Sequence, residues 1–340
     1  MSNQDDTPDI NPNRPLSIHI EPFAVGGKPS ARMAVVLAAP GCVYARRTGG
    51  CRFCGFQKLS TRGRAVSPVE FERQADVIIS ALRRSKLRVE QVDLYNSGSF
   101  LADEEIPSRS RMMFIGRLSQ LPGIRKILIE ARPEHVTDEK LRPLVQLAGG
   151  HLVDVGMGLE SASDAVRNEL MGKGFMREDF ERAAGCVAAC GASLLAYVLA
   201  GAPGLSPCET FEDCVETARF LKELALDLKE KWGYTQFGVR MALQPAFVAA
   251  GSALEREHKS GNYRLISLWT VVDIVLKTAP LVPTHVALWD EGLSGGRVPE
   301  GCEACSDAIR SAIREFNTTG STSVLKKLSC SCRPNRHKPE

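Results

Sequence analysis

Apolar residues in this chain gather in short runs, separated by stretches with a helical period. The runs are Met33-Ala34-Val35-Val36-Leu37-Ala38-Ala39, Val89 to Tyr95, Lys126-Ile127-Leu128-Ile129, Leu152-Val153-Asp154-Val155-Gly156-Met157, Leu194 to Leu199, Phe237-Gly238-Val239-Arg240 and His285-Val286-Ala287-Leu288. Each has the length of a buried strand. Between the first two, Ser67-Pro68-Val69-Glu70 reads as a capped helix start with proline at the first helical position. Phe71, Ala75, Ile78, Ile79 and Leu82 then mark one apolar helix face. Regular strand–helix alternation predicts a parallel sheet with right-handed crossovers. The expected fold is α/β, a partial or full (β/α) barrel with its chemistry at the carboxyl ends of the strands.

Composition adds boundaries to this picture. With 340 residues, 44% hydrophobic and 24% charged, the chain is globular and long enough for one main domain plus an appendage. Residues 1–30, rich in Pro, Asn, Asp and Gly, are expected to be a mobile arm. Residues 31–290 are the barrel core and 291–340 a cysteine-rich, basic extension. A formal charge of +3, from 43 basic and 40 acidic residues, is too mild to establish a nucleic-acid partner. Eleven cysteines are an odd count with no secretory signal ahead of them. No apolar stretch approaches the roughly 20 residues that span a bilayer. Metal-bound thiolates in a reducing cytoplasm fit better than disulfides, and no membrane partner is expected.

The most distinctive stretch follows the first strand. Cys42, Cys51 and Cys54 fall within thirteen residues, in a loop rich in glycine. Thiolates are soft ligands for zinc, copper(I) or iron–sulfur clusters. Structural zinc closes a four-ligand tetrahedron, yet only three cysteines are local here and no histidine stands near as the fourth. Three ligands leave one metal of a cubane cluster open to a substrate. A redox pair or half of a zinc site are the competing readings.

Further candidates stand at later strand ends. Ser97-Gly98-Ser99 lets backbone groups approach a ligand closely, or is an ordinary turn. Glu130, directly after a buried strand, needs a partner or a ligand; an ion pair with Arg132 is the simpler alternative. Gly156-Met157-Gly158-Leu159-Glu160-Ser161 and Lys173-Gly174-Phe175 follow, then Gly201 and Pro203, which would shape a loop. Arg240 and Gln244 on one strand, and Asp290 after the last, are candidates for substrate contact. Cys186, Cys190, Cys208 and Cys214 are read as non-ligands, the first two as core. In the tail, Cys302-Glu303-Ala304-Cys305 precedes Cys330-Ser331-Cys332 by 24 residues, a spacing suited to a tetrahedral S₄ site. Structural zinc is expected there, with an auxiliary iron–sulfur cluster as its rival and uncoordinated thiols third. Lys326, Lys327, Arg333, Arg336, His337 and Lys338 make this end basic, either to meet phosphates or simply as a solvated chain end.

The Cys51-Arg52-Phe53-Cys54 segment, with an aromatic before the last cysteine, resembles the cluster loop of radical S-adenosylmethionine (SAM) enzymes. Their usual spacing is CxxxCxxC, whereas eight residues separate Cys42 from Cys51 here. Gly41-Cys42-Val43-Tyr44-Ala45, Gly49-Gly50-Cys51 and Cys54-Gly55 look like the branch that includes the archaeosine-forming radical SAM subunit, near the Elongator catalytic subunit and the coproporphyrinogen oxidase type. The resemblance runs from about residue 33 to 332. It implies that Cys42, Cys51 and Cys54 bind a [4Fe–4S] cluster that reductively cleaves SAM to a 5′-deoxyadenosyl radical. It implies SAM contacts from Phe53, Ser97, Gly98, Ser99, Glu130, Arg132, Glu160, Lys173 and Gly201, with Glu130 and Glu160 on the ribose and Lys173 on the methionine carboxylate. Substrate contacts would come from Arg240, Gln244 and Asp290. The implied substrate is a modified tRNA base, with carbon–nitrogen cleavage of a lysine adduct, and the implied electron source is a reductant protein such as ferredoxin or flavodoxin. A radical SAM enzyme on another substrate, or a noncatalytic zinc-held module binding tRNA or protein, are the alternatives.

Overall fold

The computed structural model describes residues 10–25, 28–233, 238–288 and 292–333. Eight strands form one sheet in strict sequence order: β1 (Ser17–Val25), β2 (Lys28–Val36), β3 (Val89–Tyr95), β4 (Lys126–Glu130), β5 (Leu152–Glu160), β6 (Ser193–Ala200), β7 (Val239–Pro245) and β8 (Thr284–Val286). β1 is antiparallel to β2, and every later pair is parallel. The α/β barrel expected from the alternation is therefore present.

The two faces of the strands explain the curl. On β5, Val153, Val155, Met157 and Leu159 belong to the main apolar cluster, together with Phe180, Ala183 and Val187 of the helix Arg177–Ala189. The alternate residues Asp154, Gly156, Gly158 and Glu160 face inward, where Asp154 meets Lys126 of β4 and Arg240 of β7. A period of two puts the apolar set outside against helices and the polar or small set inside. The sheet bends until its edges approach: Phe23 of β1 meets His285 of β8 edge-on, with ring centroids 5.3 Å apart. The helix Pro68–Arg84 begins as expected, with Ser67 and Glu70 forming a reciprocal capping box.

Both ends of the described chain join the barrel. The arm expected over residues 1–30 contains β1, which pairs along its whole length with β2. Arg32 binds Glu21 at 2.6 Å and lies over Phe23, so the charged and aromatic residues of β1 are used in the sheet. The extension after 290 is joined to the core as well. Ile309, Ala312, Ile313 and Phe316 of the helix Ser306–Thr319 enter the main apolar cluster. Asn317 on that helix accepts from the Val286 N–H at 2.9 Å and donates to the Val286 carbonyl at 2.8 Å, as a neighbouring strand would. The helix thus covers the free edge of β8, a device that hides unpaired edge groups. Among the described residues, no helix is long and apolar enough to cross a membrane.

Candidate active site

The cysteine loop and the residues at the ends of β3 to β6 lie at the carboxyl end of the sheet. The loop after β2 carries Cys42 at the start of the short helix Val43–Thr48, followed by Cys51 and Cys54. Neighbouring loops grip it on every side. Tyr44 donates to the Gly172 carbonyl at 2.6 Å, and the Arg52 N–H donates to the Met171 carbonyl at 3.0 Å. The Leu254 N–H binds the Arg52 carbonyl at 3.0 Å, and Arg52 pairs with Glu257. Phe53 packs between two small apolar clusters, one with Met171 and Ala246, the other with Val248 and Leu254.

Two of the loop's thiols hold their protons tightly. Burial, then Cys51, pushes the Cys54 thiol up to about 12. Burial likewise raises Cys42, with Glu105 and Cys51 adding to the rise. Such thiols stay protonated until a metal displaces the proton. Two cations stand beside them. Arg132 stacks on Tyr44 at 4.0 Å and donates to the Lys173 carbonyl at 2.8 Å. Burial alone would lower Arg132, but Glu134, Cys51 and Cys42 outweigh it and its affinity for the proton rises. Lys173 behaves the same way: Glu160 and Cys51 overcome the cost of burial.

Two glycines of β5 make room for the polar pairs at this end. Gly156 lies opposite Glu130 in the parallel register, and a Cβ there would stand 2.7 Å from the Tyr197 hydroxyl. Across this gap the buried Tyr197 hydroxyl, which has no hydrogen-bond partner among the described residues, faces Glu130, whose carboxyl burial pushes up to about 7. At Gly158 a Cβ would stand 2.5 Å from both Glu160 Oε1 and Lys173 Nζ, which are joined at 2.9 Å. Glu160 itself sits at φ 63°, a left-handed conformation rarely held by a residue with a side chain. Ser97 is similarly twisted, at φ 58°, and donates to the Leu59 carbonyl at 2.6 Å.

Placement separates the predicted residues into groups. Phe53, Ser97, Gly98, Ser99, Glu130, Arg132, Glu160, Lys173 and Gly201 lie within or beside the cysteine loop or just at the ends of β3 to β6. Gly201 accepts from the Tyr263 hydroxyl at 2.8 Å. The alternative pairing of Glu130 with Arg132 does not form: Arg132 pairs with Glu134 at 2.5 Å. Lys173 is already held by Glu160, although an ammonium has two further donors to offer a ligand. Gln244 sits near the end of β7, on the expected side. Arg240 does not. It is the second residue of β7, at the opposite end of the barrel, where it shares Asp154 with Lys126. Asp154 is 1% exposed, and a buried carboxylate demands this countercharge. Asp290 lies outside the described residues. Sequence reasoning missed Glu105, Tyr44 and Tyr197. Nothing in a run such as Asp103-Glu104-Glu105 distinguishes the one acid that folds inward.

The tail forms a second thiol group. Cys302, Cys305, Cys330 and Cys332 have all four sulfurs within 4.8 Å of one another, the one such set of potential ligands among the described residues. Sulfur–sulfur distances are 3.6 Å for Cys302–Cys305 and 3.5 Å for Cys302–Cys330 and Cys305–Cys332. A tetrahedron with Zn–S bonds of about 2.3 Å has edges of roughly 3.8 Å. The Trp269 indole donates to Cys332 at 3.4 Å, and hydrogen bonds from the Cys302 backbone and this indole bring the Cys332 thiol down to about 6. Of the tail's basic residues, Arg333 is occupied, paired with Asp273 at 2.6 Å and stacked on Trp269. Lys326 and Lys327 are exposed; Arg336, His337 and Lys338 lie outside the described residues. Cys190 and Cys214 are buried, as a core reading requires, whereas Cys186 is only partly so and Cys208 is exposed.

No family model matches the chain. It is 25% identical to archaeosine synthase subunit beta of Methanosarcina acetivorans over 324 residues, 94% of this chain and 88% of that protein. It is 26% identical to archaeosine synthase subunit beta of Thermococcus kodakarensis, covering 91% of each. Among solved structures it resembles the archaeal Elp3 of Methanocaldococcus infernus with a TM-score of 0.52 at 13% identity, over 75% of this chain. The chain spans 60% of that structure, and the likeness is one of fold. Cysteine loop, barrel and relatives point the same way: the chain is similar over more than nine-tenths of its length to archaeosine synthase subunit beta, the branch that its cysteine loop resembles.

Proposed function

We propose that this protein is a radical SAM enzyme of tRNA modification, acting on a modified base by carbon–nitrogen cleavage of a lysine adduct. The observation that carries the reading is the three-thiol loop held at the carboxyl end of the barrel between Arg132 and Lys173. Similarity to two archaeosine synthase beta subunits over more than nine-tenths of the chain supports the substrate class. Their designation as subunits further suggests a second chain as partner, beside a reductant protein such as ferredoxin or flavodoxin.

The donor set fits a [4Fe–4S] cluster. Three soft thiols on one loop suit a cubane with one iron left free, and two buried cations favour a negatively charged group beside them. Cys42, Cys51 and Cys54 would hold it, and once bound it would supply the electron for reductive cleavage of SAM. The protein's own residues do the rest. Lys173, fixed by Glu160, offers its remaining donors to the methionine carboxylate. Glu130 and Glu160 accept from the ribose hydroxyls. The segment 97–99 meets the amino group with backbone atoms, and Gly201 leaves the adenine side free of a side chain. Phe53 and its apolar neighbours exclude water from the loop, which protects a reactive intermediate. The tail quartet would hold structural zinc, its four sulfurs leaving no open position.

The test is turnover of anaerobically purified, iron-loaded protein with reductant, SAM and tRNA carrying the lysine-modified base. The expected products are 5′-deoxyadenosine and an altered nucleoside, both identified by mass spectrometry. SAM cleavage with no change in any nucleoside would overturn the substrate, and absence of both iron uptake and SAM cleavage would overturn the enzyme.

A further inference from the structure

One carboxylate near the cysteine loop is not among the cluster or SAM contacts. Glu105 is 1% exposed, buried beneath the loop that carries the first cysteine. Its Oε1 accepts from the Val43 N–H at 2.8 Å, the amide next to Cys42. Its Oε2 accepts from the Ser99 N–H at 2.6 Å and from Asn96 Nδ2 at 2.8 Å. The three donors therefore belong to two loops that are 62 and 6 to 9 residues away along the chain. Gly98 completes the arrangement. A Cβ there would collide with Glu105 Oε2 and stand 2.9 Å from the Cys42 Cα, so only glycine lets the two loops close on this carboxylate.

A buried carboxylate is costly unless its oxygens are satisfied. Here it is satisfied by groups whose own positions matter to a ligand. Backbone N–H groups cannot rotate away, so accepting from both sets the distance between the Cys42 turn and the 97–99 segment. We propose that Glu105 is a positioning residue that locks the first cysteine ligand to the 97–99 segment, so that cluster and SAM meet in one geometry. It touches neither group itself, because it is enclosed. The inference rests on the radical SAM reading.

Glu105→Gln is the informative change. A carboxamide keeps one acceptor oxygen and turns an NH₂ toward a donor. Asn96 can rotate its own oxygen to meet that NH₂, but the Val43 and Ser99 amides cannot, so one of them loses its partner. Glu105→Met fills the space with no acceptor at all and would restore a role that was packing alone. Three readouts separate the cases: hydrogen exchange of the apo-protein around Val43 and Ser99, iron uptake on anaerobic reconstitution, and the change in the reduced cluster's electron paramagnetic resonance on adding SAM.

Exchange should rise at one of Val43 and Ser99 in Glu105→Gln and at both in Glu105→Met, while β3 and β4 stay protected. Iron affinity should fall roughly 10- to 100-fold, the usual cost of losing an outer-shell partner, and the SAM-induced spectral change should disappear. Wild-type iron uptake and SAM response in either variant would overturn the proposal. Loss of circular dichroism in both would also overturn it, by assigning Glu105 to the fold as a whole. Wild-type protein that takes up no iron would instead refute the radical SAM reading.

Discussion

The two thiol groups of this protein are built on opposite plans. In the tail, four sulfurs converge at 3.5 to 3.6 Å along three edges, and an indole N–H supports one of them. The loop supplies three, and these are not drawn together at single-ion spacing, since the tail quartet is the one such set among the described residues. Around the loop stand two cations, two glutamates at strand ends and a buried glutamate behind. The tail's neighbours are the aromatic Trp269 and the cation Arg333, itself neutralised by Asp273. Four converging thiolates can satisfy a metal completely, the arrangement of a closed structural site. Three thiolates beside unspent donors leave room for a ligand.

The sharpest way to break this contrast is to remove one ligand from each group. Cys51→Ala should abolish iron–sulfur absorbance (in roughly the 410 nm region of thiolate-to-iron charge transfer) and reduce 5′-deoxyadenosine formation to background. Full SAM cleavage by this variant would sink the assignment of the loop. Cys330→Ser should behave differently. It should release about one zinc per chain, expose the tail to proteolysis and leave SAM cleavage without substrate largely intact, while substrate turnover falls further. Iron and sulfide in the tail, measured by elemental analysis, would make it a second redox site and erase the contrast.

A smaller effect is expected at the strand ends. Glu130→Ala should weaken SAM binding while the cluster still assembles, as followed by equilibrium dialysis beside iron content. If affinity stayed the same and only thermal stability fell, Glu130 would serve Tyr197 and the fold rather than a ligand.

How far the site could be read in advance follows from where its information lies. The strand ends were legible because short apolar runs mark the strands and small or acidic residues such as Gly158 and Glu160 follow them. The cysteine loop was legible because thiols cluster along the chain. β1 was not, since its residues alternate weakly and its partners Arg32 and His285 lie on other strands. Arg240 was misplaced because a strand's sequence does not tell at which end a charge is needed; Asp154, 86 residues away, decides it. Glu105 was invisible for the same reason, as its value depends on amides contributed by two other loops.

Changing the pH separates the charged surroundings of the loop from the thiol surroundings of the tail. Burial raises the Glu130 carboxyl from its ordinary 4.5 to about 7. In the unfolded chain it ionises near the ordinary value, so between these limits the folded state holds the extra proton. Stability contributed by the neutral acid is complete below about 4.5 and declines as pH rises to about 7, after which it is gone. Glu130→Gln keeps a group that Tyr197 can bond but removes the titration. At pH 5 the variant and the parent should differ little. By pH 8 the variant should be more stable by about 1 to 3 kcal/mol relative to that baseline, since each tenfold change in proton affinity is worth about 1.36 kcal/mol. Urea unfolding of the iron-free, zinc-loaded protein at the two pH values measures this, because the tail then contributes equally to both chains. Parallel pH profiles would mean that Glu130 stays charged in the folded protein, ready for a ligand at any pH, and the strain of its burial would have to be relieved by solvent reaching the open end of the barrel.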